Sequence, residues 1–316
     1  MIKSEELEKY EGEILFYYGD ISRGGYSLIS STLGNFKEKR KKACLVLVTR
    51  GGDPDAAYRI ARAMNHHFSK VEILIPDICK SAGTLVCIGA HNLIFGDRGE
   101  LGPLDIQLSK PDEMFESMSG LDIIQAIDAL QVQVLDSFRS YLVDIRTGSR
   151  LSTKIAAEVA VKLTESFISP IASKVDPLTL GAHQRAMQIA YNYGERLNTM
   201  TGSLKQNALT LLVSNYPSHG FVIDRREARD LFNNVTFPDE STESIYKEAR
   251  IIIEGVLYPS LPIVVNLKEH VKNIEIQNGS ISDENKKHED RQDGGDGETF
   301  DGSPESERQE DQQDAC

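Results

Sequence analysis

The chain has 316 residues, 40% of them apolar, and a formal net charge of −13, enough for one large domain or two ordinary ones. Residues Asp283 to Cys316 hold 13 Asp/Glu against 4 Lys/Arg, so −9 of that charge sits in the last stretch of chain. No basic face with interleaved aromatics appears, which argues against nucleic-acid binding, and no run of about 18 apolar residues is present to span a membrane.

Glu13–Tyr18 reads as a first strand, ended by Gly19-Asp20, and Tyr26–Leu33 as a short helix with one apolar side. The basic run Lys37–Lys42 reads as a solvated connection, with a partner-binding role as the alternative. It leads into a buried strand, Cys44–Val48, which Gly51-Gly52 breaks. Asp53-Pro54 is a helix-start signal, with the cap first and proline in the first turn. Ala56, Ala57, Ile60, Ala61, Met64 and Phe68 then recur at helical spacing. Val71–Ile75 is the next strand, Ser81 opens a second helix through Leu85, Val86 and Gly89, and Asn92–Phe95 is a third strand. The glycines and proline of Gly96–Pro103 exclude regular helix, and a short strand is expected near Asp105–Leu108.

From Leu121 the period becomes helical as far as Gly148. Ser152 caps a helix to Phe167, Asp176-Pro177 starts one over Leu178–Asn198, and Ser203–Val213 is expected to form another. Asn215–Gly220 is a loop and Phe221–Ile223 an extended segment. Asp224 and Glu227 read as a capping box opening a helix to Phe232. Ser241–Val256 is the last helix. Beyond Gln277 the chain has too little apolar surface to offset ordering entropy, so disorder is expected there.

The order β-α-β-α-β implies parallel strands with right-handed crossovers. Both loops, Thr49–Asp53 and Lys80–Thr84, then leave the C-terminal edge of one sheet, where open α/β sheets place ligands. A serine at a strand-to-helix turn beside free backbone N–H groups suits acyl transfer, in which one group attacks and fixed donors hold the oxyanion. The plainer role for Ser81 is to cap the helix after it. Gly51-Gly52 lacks the context of a phosphate loop. Cys44, Cys79, Cys87 and Cys316 have no metal-ligand spacing and read as reduced thiols; no metal is expected.

The ordered set Thr49-x-Gly51-Gly52-Asp53, Lys80-Ser81-Ala82-Gly83-Thr84 and Leu101-Gly102-Pro103-Leu104-Asp105-x-Gln107 resembles the serine dehydrogenase proteinase family. That family belongs with the Clp-protease proteolytic subunit and the signal peptide peptidase A group. Ser169-Pro170-Ile171, Asp176–Gly181 and His219–Glu227 also look like it, extending the likeness over residues 10–260. The resemblance implies an α/β fold of ClpP/crotonase type, a spiral sheet of repeated units with helices. A domain over residues 1–260 would comprise a core, 13–120, and a helical part, 121–260, followed by an acidic tail over 278–316. It implies a serine endopeptidase acting on peptide or protein substrates, a homo-oligomer (trimer or higher), and no cofactor. Ser81 maps onto the nucleophile, Gly51, Gly52 and Ala82 onto the oxyanion hole, and Arg50 and Asp53 onto the rim of the groove. The charged opening Met1–Glu6 lacks the apolar core of a leader, so a cytoplasmic protein is expected.

The general base does not transfer by position. Residues 102–107, where the Clp-type subunit carries histidine, contain none, and residues 119–135, where the signal peptide peptidases carry lysine, contain no lysine. His219, in a loop flanked by Pro217 and Gly220, is the leading candidate, since imidazole suits proton transfer near neutral pH; the plainer reading is an exposed loop histidine. Asp105 would orient it or bind loop N–H groups. Lys110 is the alternative base and would have to be desolvated. Lys80 adjoins Ser81, but neighbours in an extended segment point apart, so a structural or groove-lining role is expected. His66, His67 and His91 read as surface or core residues. Two rival functions keep the fold: a crotonase-like acyl-thioester enzyme that needs no serine, and a non-catalytic oligomeric scaffold.

Overall fold

The computed structural model describes residues 4–36, 38–104, 107–109, 117–173 and 176–276. Met1–Lys272 form one compact unit and Asn273–Cys316 a second; in the second, only the helical residues 273–276 are described. The disorder expected of the tail therefore lies outside the described residues, as do Asp105 and Lys110.

In chain order the elements are α1 (Ser4–Leu7), β1 (Glu13–Tyr18), α2 (Arg23–Gly34), β2 (Arg40–Val48), α3 (Pro54–His67), β3 (Phe68–Ile75), β4 (Ile78–Cys79), α4 (Ala82–Ile88), β5 (Asn92–Phe95), β6 (Glu100–Leu101), β7 (Gln107–Ser109) and β8 (Ser117–Ser119). Then follow α5 (Gly120–Gly148), α6 (Thr153–Ala172), α7 (Pro177–Thr201), α8 (Ala208–Thr210) running into a π-turn over Leu211–Asn215, α9 (Arg225–Leu231), β9 (Val235–Thr236), α10 (Glu243–Gly255) and β10 (Ile263–Asn266).

Six strands form one sheet in the order β10-β1-β2-β3-β5-β9. All neighbours are parallel except β10, which runs antiparallel to β1 at the edge. Alternate residues of the strands feed two cores, as a period of two demands. Leu15, Tyr17, Leu45, Leu47, Ile73 and Ile75 pack with Ile60, Leu85 and Leu197 from α3, α4 and α7 on one face. Ile14, Phe16, Tyr18, Cys44, Val46, Val48 and Leu74 pack with Ile245 and Ala249 of α10 on the other. Each large side chain so buried contributes about 1.5–3 kcal/mol. The fold is ClpP-like α/β.

Three expectations change. The basic run is not wholly a solvated connection, because Arg40–Lys42 lie in β2. Arg40 pairs with Glu13, and Lys42 lies 2.9 Å from Glu72, so acids on the flanking strands draw the run into the sheet. The helix expected over Ser203–Val213 starts only at Ala208. Gly202 at φ +64° closes α7, and Leu204 bridges to Phe232 instead of coiling. Finally, β10 carries the sheet past residue 260. The compact unit thus extends beyond the boundary read from the sequence.

At the N-terminal edge of the strands, Glu72 is 4% exposed and receives Tyr10 Oη at 3.0 Å, Lys42 Nζ at 2.9 Å and Lys70 Nζ at 3.0 Å. Burial pushes its carboxyl up, but the hydrogen bonds from Lys42 and Lys70 outweigh this and hold it below the ordinary glutamate value, about 4.3. A carboxylate lowered in the folded state stabilises above its unfolded pKa, and that share is lost as pH falls through the folded value. Urea midpoints measured against pH are expected to show it. Glu72→Gln should lose roughly 1–3 kcal/mol at neutral pH and show a shallower acid-side decline than the wild-type protein.

Candidate active site

The two loops singled out in the sequence meet where β2 and β4 end. Thr49 and Cys79 form a parallel bridge: Thr49 N–H donates to Ile78 O at 2.9 Å, and Lys80 N–H donates to Thr49 O at 3.0 Å. This bridge continues the pairing past the ends of the strands and sets the Gly-Gly turn against Ser81. Gly51 has φ +125° and Gly52 φ +134°, a region closed to residues with a side chain. A Cβ on Gly51 would lie 2.9 Å from Ser81 Cβ, and one on Gly52 would lie 2.2 Å from Ile21 O. The Gly51 carbonyl accepts from Ile21 N–H at 2.7 Å, and Ile21 O accepts from Asp53 N–H at 2.9 Å, which fastens the turn to the chain after β1.

Ser81 is 6% exposed and has φ 49° and ψ −112°. A non-glycine residue so placed carries about 1–3 kcal/mol of strain and is held there by its surroundings. It occupies the cap position of α4, yet its side chain makes no capping hydrogen bond. The plain capping role is therefore not what this serine performs. A strained strand-to-helix turn is the geometry that displays a nucleophile above a sheet edge.

The backbone donors around Ser81 divide cleanly. Gly51 N–H is taken, donating to Thr49 Oγ1 at 3.1 Å. Among the described residues, Gly52 N–H and Ala82 N–H have no protein acceptor. Thr84 Oγ1 donates to Gly102 O at 2.7 Å and anchors the Leu101–Leu104 loop beside the turn.

Lys80 takes the structural role expected of it. Its ammonium lies 2.9 Å from Glu100 Oε1 and donates to Leu101 O at 3.3 Å and Phe221 O at 3.1 Å. Leu101 and Ile223 exchange two backbone hydrogen bonds, of 2.9 and 3.0 Å. These contacts draw the segment following His219 to the flank of the Ser81 turn, across 141 residues of sequence. His219 itself lies half-buried in the turn before Phe221. Asp224 caps α9 by accepting from Glu227 N–H at 2.8 Å, whereas the Glu227 carboxylate accepts from Tyr216 Oη at 2.8 Å.

Beneath the turn, Cys79 Sγ and Cys87 Sγ are 3.7 Å apart and both are buried. Burial, and then the Cys79 thiol, push the Cys87 thiol well up, which makes it a packing residue instead of a nucleophile. At the rim, Arg50 lies 4.2 Å over the Tyr258 ring. Arg50 N–H donates to Tyr258 Oη at 3.0 Å, and that hydroxyl donates to Asp20 at 2.6 Å. Burial, followed by the bond to Asp20, raises the Tyr258 phenol. Asp53 caps α3 and pairs with Arg23 at 3.1 Å. Tyr258 and Glu100 were not foreseen, since neither lies in a motif or a periodic run. Among the described residues no cluster of three or more His, Cys, Asp or Glu is arranged to hold a metal.

Residues 36–147 match the family described as ClpP-like SDH-type serine proteinases, the family that the motifs pointed to, and the matched segment holds both loops and Ser81. Two uncharacterized proteins of Methanocaldococcus jannaschii are 35% and 32% identical over 72 and 66 residues. Those stretches cover 23% and 21% of this chain and 25% and 23% of the relatives, so the chain spans about a quarter of their length. Two solved mutants of the 1510-N membrane-bound stomatin-specific protease, one in complex with a substrate peptide, are also similar. They are 16% and 17% identical, with TM-scores of 0.29 for both. They cover 47% and 46% of this chain and 70% and 62% of their own.

The approach of Gly51 to Ser81 gives a direct test. Gly51→Ala is expected to lower stability by about 1–3 kcal/mol through its positive φ, read in thermal or urea unfolding. It should also slow labelling of Ser81 by a fluorophosphonate, because the new methyl displaces the serine side chain.

Proposed function

We propose that this chain, matched over residues 36–147 to the ClpP-like SDH-type serine proteinases, hydrolyses peptide bonds through an acyl-enzyme on Ser81. The observation that carries the reading is Ser81 itself. It is a strained serine that does not cap its helix, set against a Gly-Gly turn. Ser81 Oγ bonds to the scissile carbonyl carbon while its proton passes to a base. The carbonyl electron pair moves onto oxygen, where Gly52 N–H and Ala82 N–H receive it. Gly51 serves by its close approach, its own N–H being bound to Thr49. Collapse of the intermediate expels the amine, which takes the proton. Water then repeats the sequence on the ester and restores the serine. One such donor is typically worth about 10²–10³ in rate.

His219 is the base of this reading, supported by the tie between Lys80 and Phe221 that brings its turn to the site. Asp105 would orient it, and Lys110 is the alternative. The substrate is a peptide or protein segment laid along the edge between the Gly-Gly turn and the Leu101–Leu104 loop, and no cofactor enters the scheme.

Ser81→Ala is expected to abolish both fluorophosphonate labelling and peptide hydrolysis while leaving the thermal midpoint near that of the wild-type protein. Hydrolysis of a peptide or acyl-thioester that survives the substitution would overturn the acyl-enzyme and favour the crotonase-like alternative. His219→Gln should slow labelling by about 10²–10⁴. An unchanged rate in that variant, with loss in Lys110→Ala, would move the base to Lys110.

A further inference from the structure

One face of α6 is apolar and uncovered. Ile155, Val159, Leu163, Phe167 and Ile171 recur at every fourth position, and each is between 37% and 50% exposed. The face beside them, Ala156, Ala160 and Thr164, is buried, and α6 packs along α5. The row therefore does not belong to the core of its own chain. On its other side, also at every fourth position, run the exposed Lys154, Glu158 and Lys162.

We infer that this face of α6 pairs with the same face of a second copy of the chain, the two helices running antiparallel about a two-fold axis at Ala160. An isologous contact requires a patch that complements itself, and the spacing supplies one. About that centre, Leu163 of each copy falls opposite position 157 and Val159 opposite position 161. These are the gaps between the other copy's side chains at 155, 159 and 163. The same centre sets Glu158 of each copy opposite Lys162 of the other, twice over. A row at every fourth position winds about 40° per step around the axis. The central side chains Ile155, Val159 and Leu163 thus carry the contact, and the ends diverge. Signs alternate along the flanking row, and over the whole of α6 Lys154 and Lys162 are balanced by Glu158 and Glu165. That suits a second copy better than an anionic membrane surface, which calls for a basic polar face.

The inference takes from the resemblance only that the chain is a homo-oligomer, not the size of the assembly, and names the surface; it is independent of the hydrolytic reading. The test is the mass of the full chain by size exclusion with light scattering at micromolar concentration, with circular dichroism to verify folding. The wild-type protein is expected to be a dimer or a larger even-numbered assembly. V159E/L163E should halve that mass with unchanged helical content. E158K alone should weaken the assembly by placing Lys opposite Lys, and E158K/K162E should restore it. A monomeric wild-type protein would overturn both the oligomer and this surface. An oligomeric wild-type protein whose mass is unchanged in V159E/L163E, or whose E158K defect is not rescued by K162E, would overturn this surface alone.

Discussion

The arrangement of the site depends on one short piece of parallel pairing, the bridge between Thr49 and Cys79. It is made by two backbone hydrogen bonds, of 2.9 and 3.0 Å, beyond the last regular residue of β2. Without it the two loops would merely leave the same edge of the sheet. With it, the Gly51 backbone is pressed so close to Ser81 that a Cβ at position 51 would lie 2.9 Å from the Ser81 Cβ. The strained conformation of Ser81 persists because bonds on either side over-determine it. Lys80 N–H is held by Thr49 O, Lys80 O accepts from Gly83 N–H at 2.8 Å, and Ser81 O accepts from Leu85 N–H at 3.2 Å. A local conformational cost is thus met by contacts that are themselves part of the fold.

A second set of ties recruits the distant half of the chain. The Lys80 ammonium, only 13% exposed, combines an ion pair with Glu100 and two carbonyl acceptors, Leu101 and Phe221. A buried charge of this kind is tolerable because its donors are fully used. Loop-closure entropy grows only slowly with length, so the long span from 80 to 221 is no obstacle to a tie of this kind. A lysine next to the serine therefore works as a clamp that ties the segment following His219 to the Ser81 turn.

Much of the core was legible from the sequence because it obeys simple periods. Glu13–Tyr18 and Asn92–Phe95 are strands with the expected bounds, and the run from Leu121 to Gly148 is one helix, α5. Apolar residues spaced for one face leave little choice in such segments. The short pieces were not legible. β4 and β6 have two residues each, and β9 and β10 are edge strands; their existence follows from pairing partners, not from any pattern of their own. Ser203–Val213 looked helical by composition, but the left-handed residues Gly202 and Asn207 break it. At the site, the serine and the glycines announce themselves by residue type and position. The partition among the glycine N–H groups does not, because it depends on the Thr49 hydroxyl turning back onto Gly51.

The two strand-turn-helix units use the same device to opposite ends. At α3, Asp53 fills the cap position, accepts Asp55 N–H at 2.8 Å and is itself paired with Arg23, so the opening turn is satisfied by its own side chains. At α4 the cap position is Ser81, and its positive φ leaves the helix start without a side-chain cap. The first turn of any helix has donors that must find partners outside it. One unit closes that deficit and becomes scaffold. The other leaves Ala82 N–H without an acceptor among the described residues, in the turn that the Gly-Gly loop is set against. On the acyl-enzyme reading, that deficit is filled by the substrate, and most completely when its carbonyl oxygen becomes charged. Hydrogen bonds that tighten as charge develops favour the transition state over the bound substrate. The missing cap on α4 is in this sense the counterpart of the strain in Ser81.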